Sequence, residues 1–526
     1  MPIIINNISS SLDASEKEIV SSALKSVGLG SGICASVYKT SLDARKRDSI
    51  HFVHSVYAEL LDENEEKCLC EKYHDVKYAA PCRLDAVIGT EKPEGKVCIA
   101  GFGPAGMFCA LVLAEHGYKP VIFERGADIE TRAGKVGEFW NGGVLDRKSN
   151  VQFGEGGAGT FSDGKLTTRI KDPLCRYVLE RFVAFGAPEE ILTKAKPHIG
   201  TDKLRGVVKN LRERIFELGG EVRFLTQVDD LVLNGRKLVS VKAGECSVSC
   251  SVLVLATGHS ARDTFEMLAS KGIFLEPKPF SVGFRIEHLQ SDVDRSLYGK
   301  YAGNPLLPRG EYQLSARDPS GRAVYTFCMC PGGTVVPAAS DDRSVVTNGM
   351  SVFARDGSNA NAAVAAAVSP DDFGHSPLDG MNFAAELERR AYSLSSSYKA
   401  PASTVGGFMS GRAVLGKKVS PSYAIGVEPV ELDKLFPGYI SSCLKYGLAD
   451  FARKMQCFRD SEAMLTAPET RTSSPVRITR GDTLNSISVD NLFPCGEGAG
   501  YAGGIVSAAV DGIKVALEIM KRQAPE

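Results

Sequence analysis

Apolar positions near the start of the chain follow two periods. Ile19, Val20, Ala23, Leu24 and Val27 recur at the interval of a helix face, behind Asp13 and Glu16, whose spacing predicts a capping-box start. PIIIN before that helix predicts a first strand. ICASVYK and SIHFVHSVYAEL after it predict two more, the second from its alternation of His, Val, Ser and Tyr. The βαββ order makes residues 1–92 a small ferredoxin-like α/β module. The charged run GTEKPEGK at 89–96, with its Pro and Gly, reads as a linker. GLGSG at 28–32 follows a helix instead of a strand, so nothing aims it at a phosphate. It reads as a helix C-cap and turn.

A run of eighteen uncharged residues extends from Val97 to Ala114. Three glycines and a proline interrupt it and no interfacial anchors flank it, which argues against a membrane span. KVCIA predicts a β-branched strand, Pro104–Gly117 a helix, and KPVIFE a second strand ending at Glu124. A central parallel strand and its first helix are buried on both sides, so the run carries no charge. Gly101, Gly103 and Gly106 stand at the turn with G-x-G-x-x-G spacing. The first permits the tight turn, the second lets backbone approach a pyrophosphate, and the third lets helix and strand pack closely. The helix starting near Pro104 aims its free amides at the phosphates. Glu124, eighteen residues past Gly106, stands where a carboxylate accepts ribose hydroxyl hydrogens.

A second clamp favours FAD. NLFPCGEGAGYAGGIVSAAVDGIKVALEIM at 491–520 again reads as strand end, Gly-rich loop and helix. Gly496 and Glu497 stand where a ribityl hydroxyl would be bonded. The helix beginning at Gly504–Ile505 aims its positive end at the flavin N1/O2 region. Between the two clamps, VLVLATG predicts a buried strand ending at Gly258, close to the nucleotide. GGEVRFLTQVDDLVL predicts a strand carrying Val228, of the kind that holds an adenine edge through backbone groups.

Composition narrows this picture further. A chain of 526 residues suggests roughly two to four domains. With 43% hydrophobic and 24% charged residues it has a globular balance. With 62 basic against 63 acidic residues, no bulk field favours nucleic acid or a membrane surface. None of the fourteen cysteines forms a CxxC pair, and CLC at 68–70 and CMC at 328–330 are poorly spaced for a bridge or a zinc tetrahedron. No metal is expected, and the thiols read as reduced and mostly buried. The start MPIIINNISSSLDASEKEI lacks the marks of a secretion signal, so a cytoplasmic location is expected.

GFGPAGMFCALVLAEHGYKPVIFERG, NVQFGEGGAGTFSDGKLTTR (150–169), LATGHSARDTFEML, PFSVGFRIEHL (279–289), YTFCMCPGGTVVPAAS (325–340) and PCGEGAGYAGGIVSAAVDG (494–512) together resemble the bacterial FAD-dependent dehydrogenases of largely uncharacterised role. That family lies within the wider glutathione-reductase-like FAD class, and the resemblance covers nearly the whole chain. It implies an α/β fold with a discontinuous Rossmann-like FAD-binding domain (96–275 and 486–526), an inserted mixed-sheet substrate domain (276–485) and the small N-terminal module. Carried over by position, it implies that Gly101, Gly103, Ala105 and Gly106 meet the pyrophosphate. Glu124 would hold the adenosine ribose with Arg125 beside it, Val228 the adenine, Gly258 the pyrophosphate region, and Gly496 with Glu497 the ribityl chain. The wider class usually has Asp where this chain has Glu497, one methylene longer.

Candidate chemistry lies around the ring. GGAGTFSDGKLTT (156–168) is the loop expected beside the isoalloxazine. Lys165 there reads either as a cation near N5/O4 or as a solvated surface lysine. His259 reads as a proton donor or as a cap for the helix that follows, and Arg262 is the next candidate catalytic residue. Arg285, Glu287 and His288 alternate with apolar residues, as in a pocket lining or an ordinary half-exposed strand. Tyr501 and Ala502 are placed to touch the ring, whereas Met350 and Cys330 read as core. SVGFRIEHL, AVYTFCMC and VVTNGMSVFA suggest a mixed or antiparallel sheet, and Ala-rich 358–370 is too short for an anchor. No second GxGxxG occurs between 130 and 490, so NAD(P)H would reach the flavin face without its own Rossmann fold, or another donor would reduce it. The expected function is hydride transfer between FAD and a small organic substrate, with NAD(P)H as transient co-substrate. The alternatives are an FAD-dependent RNA-modifying enzyme using basic DARKR at 43–47, and a non-catalytic flavin redox sensor. Bulk charge disfavours the first.

Overall fold

The computed structural model describes residues 2–60, 62–79 and 83–525; Met1, Leu61, Ala80, Pro81, Cys82 and Glu526 lie outside the described residues. The N-terminal module runs β1 (Ile3–Ser10), α1 (Glu16–Ser26), β2 (Cys34–Asp43), β3 (His51–Glu59), α2 (Glu63–Lys72) and β4 (Val76–Tyr78). Its sheet has the order β2-β3-β1-β4, antiparallel throughout. Helix α1 starts on a Ser15–Glu18 capping box, not Asp13–Glu16. Ser15 has the extended backbone an N-cap needs, and its N–H donates to the Glu18 carboxylate at 2.8 Å. Gly28, at φ +80°, follows the end of that helix, as a turn glycine does. The 89–96 run is no free tether, because Gly89 donates to the Met520 carbonyl at 2.7 Å and Ala524 donates to that of Glu91 at 2.8 Å.

The first lobe contains β5 (Lys96–Ala100), α3 (Pro104–Glu115), β6 (Val121–Phe123), α4 (Ile129–Trp140), α5 (Leu174–Ala184), α6 (Thr201–Glu217), β7 (Glu221–Arg223), β8 (Asp230–Asn234), β9 (Lys237–Ala243), β10 (Cys246–Leu255) and α7 (Arg262–Ser270). Strands β7, β6, β5 and β10 pair in parallel in that order. The first half of β10 pairs antiparallel with β9, and β9 with β8. Every residue of α3 from Ala105 to Ala114 is buried, which is why the run there lacks charge. Val228 lies in the connection between β7 and β8, not in a strand. The chain leaves the sheet after Arg223 because Leu225 takes φ +54° and its N–H bonds to the Gly126 carbonyl.

The second lobe contains β11 (Leu275–Pro277), β12 (Phe280–Leu289), α8 (Gln290–Tyr298), β13 (Ser315–Arg317), β14 (Ala323–Cys330), β15 (Thr334–Pro337), β16 (Thr347–Met350), β17 (Asn359–Val368), α9 (Pro370–Phe373), α10 (Asp379–Ser395), β18 (Ala400–Thr404), α11 (Val405–Met409), β19 (Val427–Pro429), α12 (Gly438–Lys454), β20 (Met464–Glu469) and β21 (Val476–Ile478). Seven of these strands form one sheet, β13-β14-β17-β12-β20-β18-β19, antiparallel except for the last pair. The Ala-rich segment is its central strand β17, whereas β16 stands apart and pairs with β15. Strand β12 is buried on both faces, so Arg285, Glu287 and His288 are interior and not half-exposed. Partners make this tolerable for the two charged residues, whereas neither ring nitrogen of His288 has a hydrogen-bond partner among the described residues. Arg285 forms a two-pronged pair with Glu469 at 2.9 and 3.0 Å, and Glu287 accepts from Ser422 and Asn359.

The chain then returns to the first lobe. Strand β22 (Leu492–Pro494) adds in parallel to β10, and α13 (Ile505–Met520) packs on α3 so closely that a Cβ on Gly512 would come within 2.1 Å of the Ala105 carbonyl oxygen. Among the described residues, no helix is long and apolar enough to cross a membrane.

Candidate dinucleotide and substrate cavity

A cavity of about 1330 Å³ joins the glycine turn of the first lobe to the sheet of the second. Single ligand sites typically span about 300–1,000 Å³, so this one has room for an extended cofactor and a further molecule. At its first end β5 delivers Gly101 at φ +100°. A Cβ on Gly106 would lie 2.1 Å from the Gly101 carbonyl oxygen, whereas one on Gly103 would meet only the Gly157 Cα at 3.7 Å. The third glycine thus serves packing, and the second leaves backbone open to a ligand. Gly103 is the N-cap of α3 and no acid stands in the first turn, the arrangement that receives a phosphate. Ala105 lines the same wall.

Glu124 is buried at the tip of β6. One carboxylate oxygen accepts from the Phe102 N–H at 2.8 Å; the other accepts from Gly126 at 2.9 Å and Gly154 at 3.0 Å. The first oxygen keeps a lone pair for a hydroxyl donor. Arg125 stacks over the Phe153 ring at 4.3 Å and pairs with Asp263 at 2.9 Å. Val228 and Gln227 complete this end. Phe153, Gln227 and Asp263 carry no local motif, and sequence reasoning missed them.

Gly258 (φ +76°), just after β10, and loop 156–168 bound the middle of the cavity. Lys165 belongs to the wall and is no surface lysine: its ammonium donates to the Met329 carbonyl and sits 3.6 Å from Glu311. Beyond it, Asp163 and Arg355 form a buried pair, Nε to Oδ1 at 3.1 Å.

At the far end the Gly496 N–H donates to Asp511 at 2.7 Å, and Arg480 holds that carboxylate from the other side. Glu497 lines the cavity. Burial pushes its carboxyl up to about 7, with Lys278 opposing. His259 Nε2 lies 4.0 Å from it, and burial, then Arg471 and Arg262, push that imidazole down to about 4. Its surroundings therefore favour the neutral ring. His259 does not cap α7, whose N-cap is Ala261. The first turn of α13, from Gly504 (φ +135°) through Ile505, opens on the same space without an acidic residue. Tyr501 and Ala502 are beside it.

Arg262 does not line the cavity. Its guanidinium is held by Asp341 at 2.7 Å and Glu388 at 2.8 Å. Burial opposes charge on Glu388, but Arg262 and Arg471 outweigh it and hold the carboxyl at about 2. Arg262 therefore ties α7 to α10 across the two lobes. The second-lobe wall comes instead from Glu311, Tyr325, Cys328, Asn348 and Glu469. Glu311, Asn348 and Glu469 have no sequence signal, because residue polarity alone does not say which face meets a cavity. Among the described residues no three His, Cys, Asp or Glu side chains are grouped to hold a metal.

Residues 279–472 match the family described as FAD-dependent protein, C-terminal domain-like. The chain is 45% identical over 532 residues to an uncharacterized protein of Clostridium beijerinckii, covering 99% of each. Among solved structures, glycine oxidase from Bacillus cereus is 12% identical over 82% of this chain and 99% of that one, with a TM-score of 0.33. A geranylgeranyl bacteriochlorophyll reductase-like protein from Thermoplasma acidophilum is 13% identical over 82% and 79%, with a TM-score of 0.35. At such scores neither likeness bears on substrate or reaction.

Proposed function

The chain belongs to the family of that Clostridium beijerinckii protein and carries the FAD-dependent C-terminal domain at 279–472; from this premise we propose that it is a cytoplasmic FAD-dependent oxidoreductase of the glutathione-reductase-like class, with a ferredoxin-like N-terminal module. The single observation that carries the reading is the continuity of the cavity. It runs from the open backbone at Gly103, past Gly258, to Glu497 and the first turn of α13, then on into the second lobe. FAD, when bound, supplies the hydride chemistry.

The residues of the chain do the rest. Gly101, Gly103, Ala105 and Gly106 admit the pyrophosphate, Glu124 accepts from the ribose, and Arg125 and Val228 wall the adenine. Gly496 and Glu497 face the ribityl chain. Gly504 and Ile505 present the positive end of α13 where anionic charge develops on reduction. Lys165 places a cation in the middle stretch of the cavity, opposite Glu311. Glu497, titrating near neutrality, is a group able to hold or release a proton at the far end, whereas His259 orients as a neutral ring. The room left beyond the cofactor suits a small organic substrate, and NAD(P)H would enter at the same face.

Visible absorption of the purified protein tests the cofactor, and anaerobic titration with NADH and NADPH tests the donor. Flavin bleaching with either supports nicotinamide reduction. A colourless protein that refuses added FAD overturns the whole reading.

A further inference from the structure

Cys328 and Cys330 sit two apart on a strand, a spacing ill suited to a bridge when the strand is regular. Strand β14 is irregular just there. Its register against β17 shifts between Phe327 and Cys330, and Cys328 takes φ +43°, a left-handed conformation that a side chain other than glycine rarely adopts. Such an outlier at a cavity wall invites a functional reading. Cys328 lines the cavity and Cys330 is buried behind it. The Cys330 sulfur folds back to within 3.4 Å of the Cys328 carbonyl, which turns it toward the residue it would bridge. Two cations grip the same turn: buried Arg285 donates to the Cys328 carbonyl at 2.8 Å, and Lys165 to that of Met329.

The electrostatics follow the geometry. The bond from Cys330 holds the Cys328 thiol well below its ordinary value against burial, with Arg285 and Lys165 adding to it, while the same bond and burial drive Cys330 up. Burial pushes Cys109, Cys443, Cys457 and Cys495 up instead. Cys328 and Glu497 line the same cavity.

We propose that Cys328 and Cys330 are a redox-active dithiol that closes to a disulfide by passing two electrons to FAD, an inference that rests on the FAD reading above. A sulfur–sulfur bond forms from the Cys328 thiolate and the Cys330 thiol, whose S–H bond breaks. The electron pair and that proton go to oxidised FAD, which is reduced, and the thiolate's negative charge passes to the reduced cofactor beside the positive end of α13. Cys328, the one of the pair that lines the cavity, is then open to exchange with a small organic thiol or disulfide.

The test uses the full-length, FAD-loaded, oxidised protein titrated anaerobically with dithionite. Wild type should take four electrons per flavin, and Cys330→Ser, still yellow, only two. A non-reducing peptide map of oxidised wild type should join Cys328 to Cys330, lighter by the two hydrogens lost, and it does not depend on the variant folding. Yellow wild type that takes two electrons, with both thiols still open to alkylation after oxidation, overturns the dithiol and leaves the FAD reading standing. Protein that cannot bind FAD overturns both.

Discussion

Glu497 Oε1 and His259 Nε2 face each other at 4.0 Å across the far end of the cavity, yet burial steers each toward its neutral form. A charged pair would cost desolvation on both sides. Neutral partners avoid that cost and make this end sensitive to pH.

The carboxyl of Glu497, raised from 4.5 to about 7, favours the folded state below pH 4.5, and that contribution is lost as pH climbs through about 7. His259, lowered from 6.5 to about 4, contributes above 6.5 and loses its contribution as pH falls through about 4. In cofactor-free protein, Glu497→Gln should therefore gain on wild type as pH rises from about 5 to about 8. Urea midpoints across that range check this; a constant gap would refute the raised carboxyl.

Gly106→Ala forces a methyl into the Gly101 carbonyl and should cost about 1–3 kcal/mol together with flavin binding. Gly103→Ala meets no such wall and should cost under about 1 kcal/mol, while still weakening FAD through the phosphate approach. Urea unfolding beside retained flavin absorbance after dialysis separates the two. Equal destabilisation would contradict their assigned roles.

Glu388→Ala strands Arg262 and Arg471 without their shared buried carboxylate and should cost about 3–5 kcal/mol at neutral pH. Because Glu388 is held at about 2, its contribution is complete above 4.5 and lost as pH falls through about 2, so acidification should narrow the gap to wild type. Arg262→Met should lower stability yet keep the protein yellow. Loss of flavin without loss of stability would instead return Arg262 to the cofactor site.

Arg285→Leu and Glu469→Leu should each cost about 3–5 kcal/mol, since either leaves a buried charge unpaired. The double variant should recover, with a coupling of about 0.5–3 kcal/mol between the two positions. A double-mutant cycle in urea measures it; simple additivity would dissolve the pair as an energetic unit.

How far these features were legible depends on how local their causes are. The strand, glycine turn and helix at 96–115, the helix-following glycines at 28–32, and the alternating strand at 51–59 all follow from near-neighbour spacing. Turn geometry and amphipathic period act over a few residues. Val228 escaped its expected strand because Leu225 bonds to Gly126, nearly a hundred positions earlier, a contact no local pattern announces. Arg262 looked available for catalysis until Asp341 and Glu388 arrived from the second lobe.

By itself, then, the order of residues determined the glycine turn, the uncharged strand and helix behind it, and the strand end, Gly-rich loop and helix near the C-terminus, because backbone conformation answers to adjacent chemistry. Tertiary structure decided which polar groups are interior and what they do there. Arg285 finds Glu469 from 184 positions away, Lys165 turns inward to Met329 and Glu311, and a register shift in β14 sets Cys328 in the cavity wall. Burial and charge pairing depend on what stands across the gap, and only the folded chain supplies that neighbour.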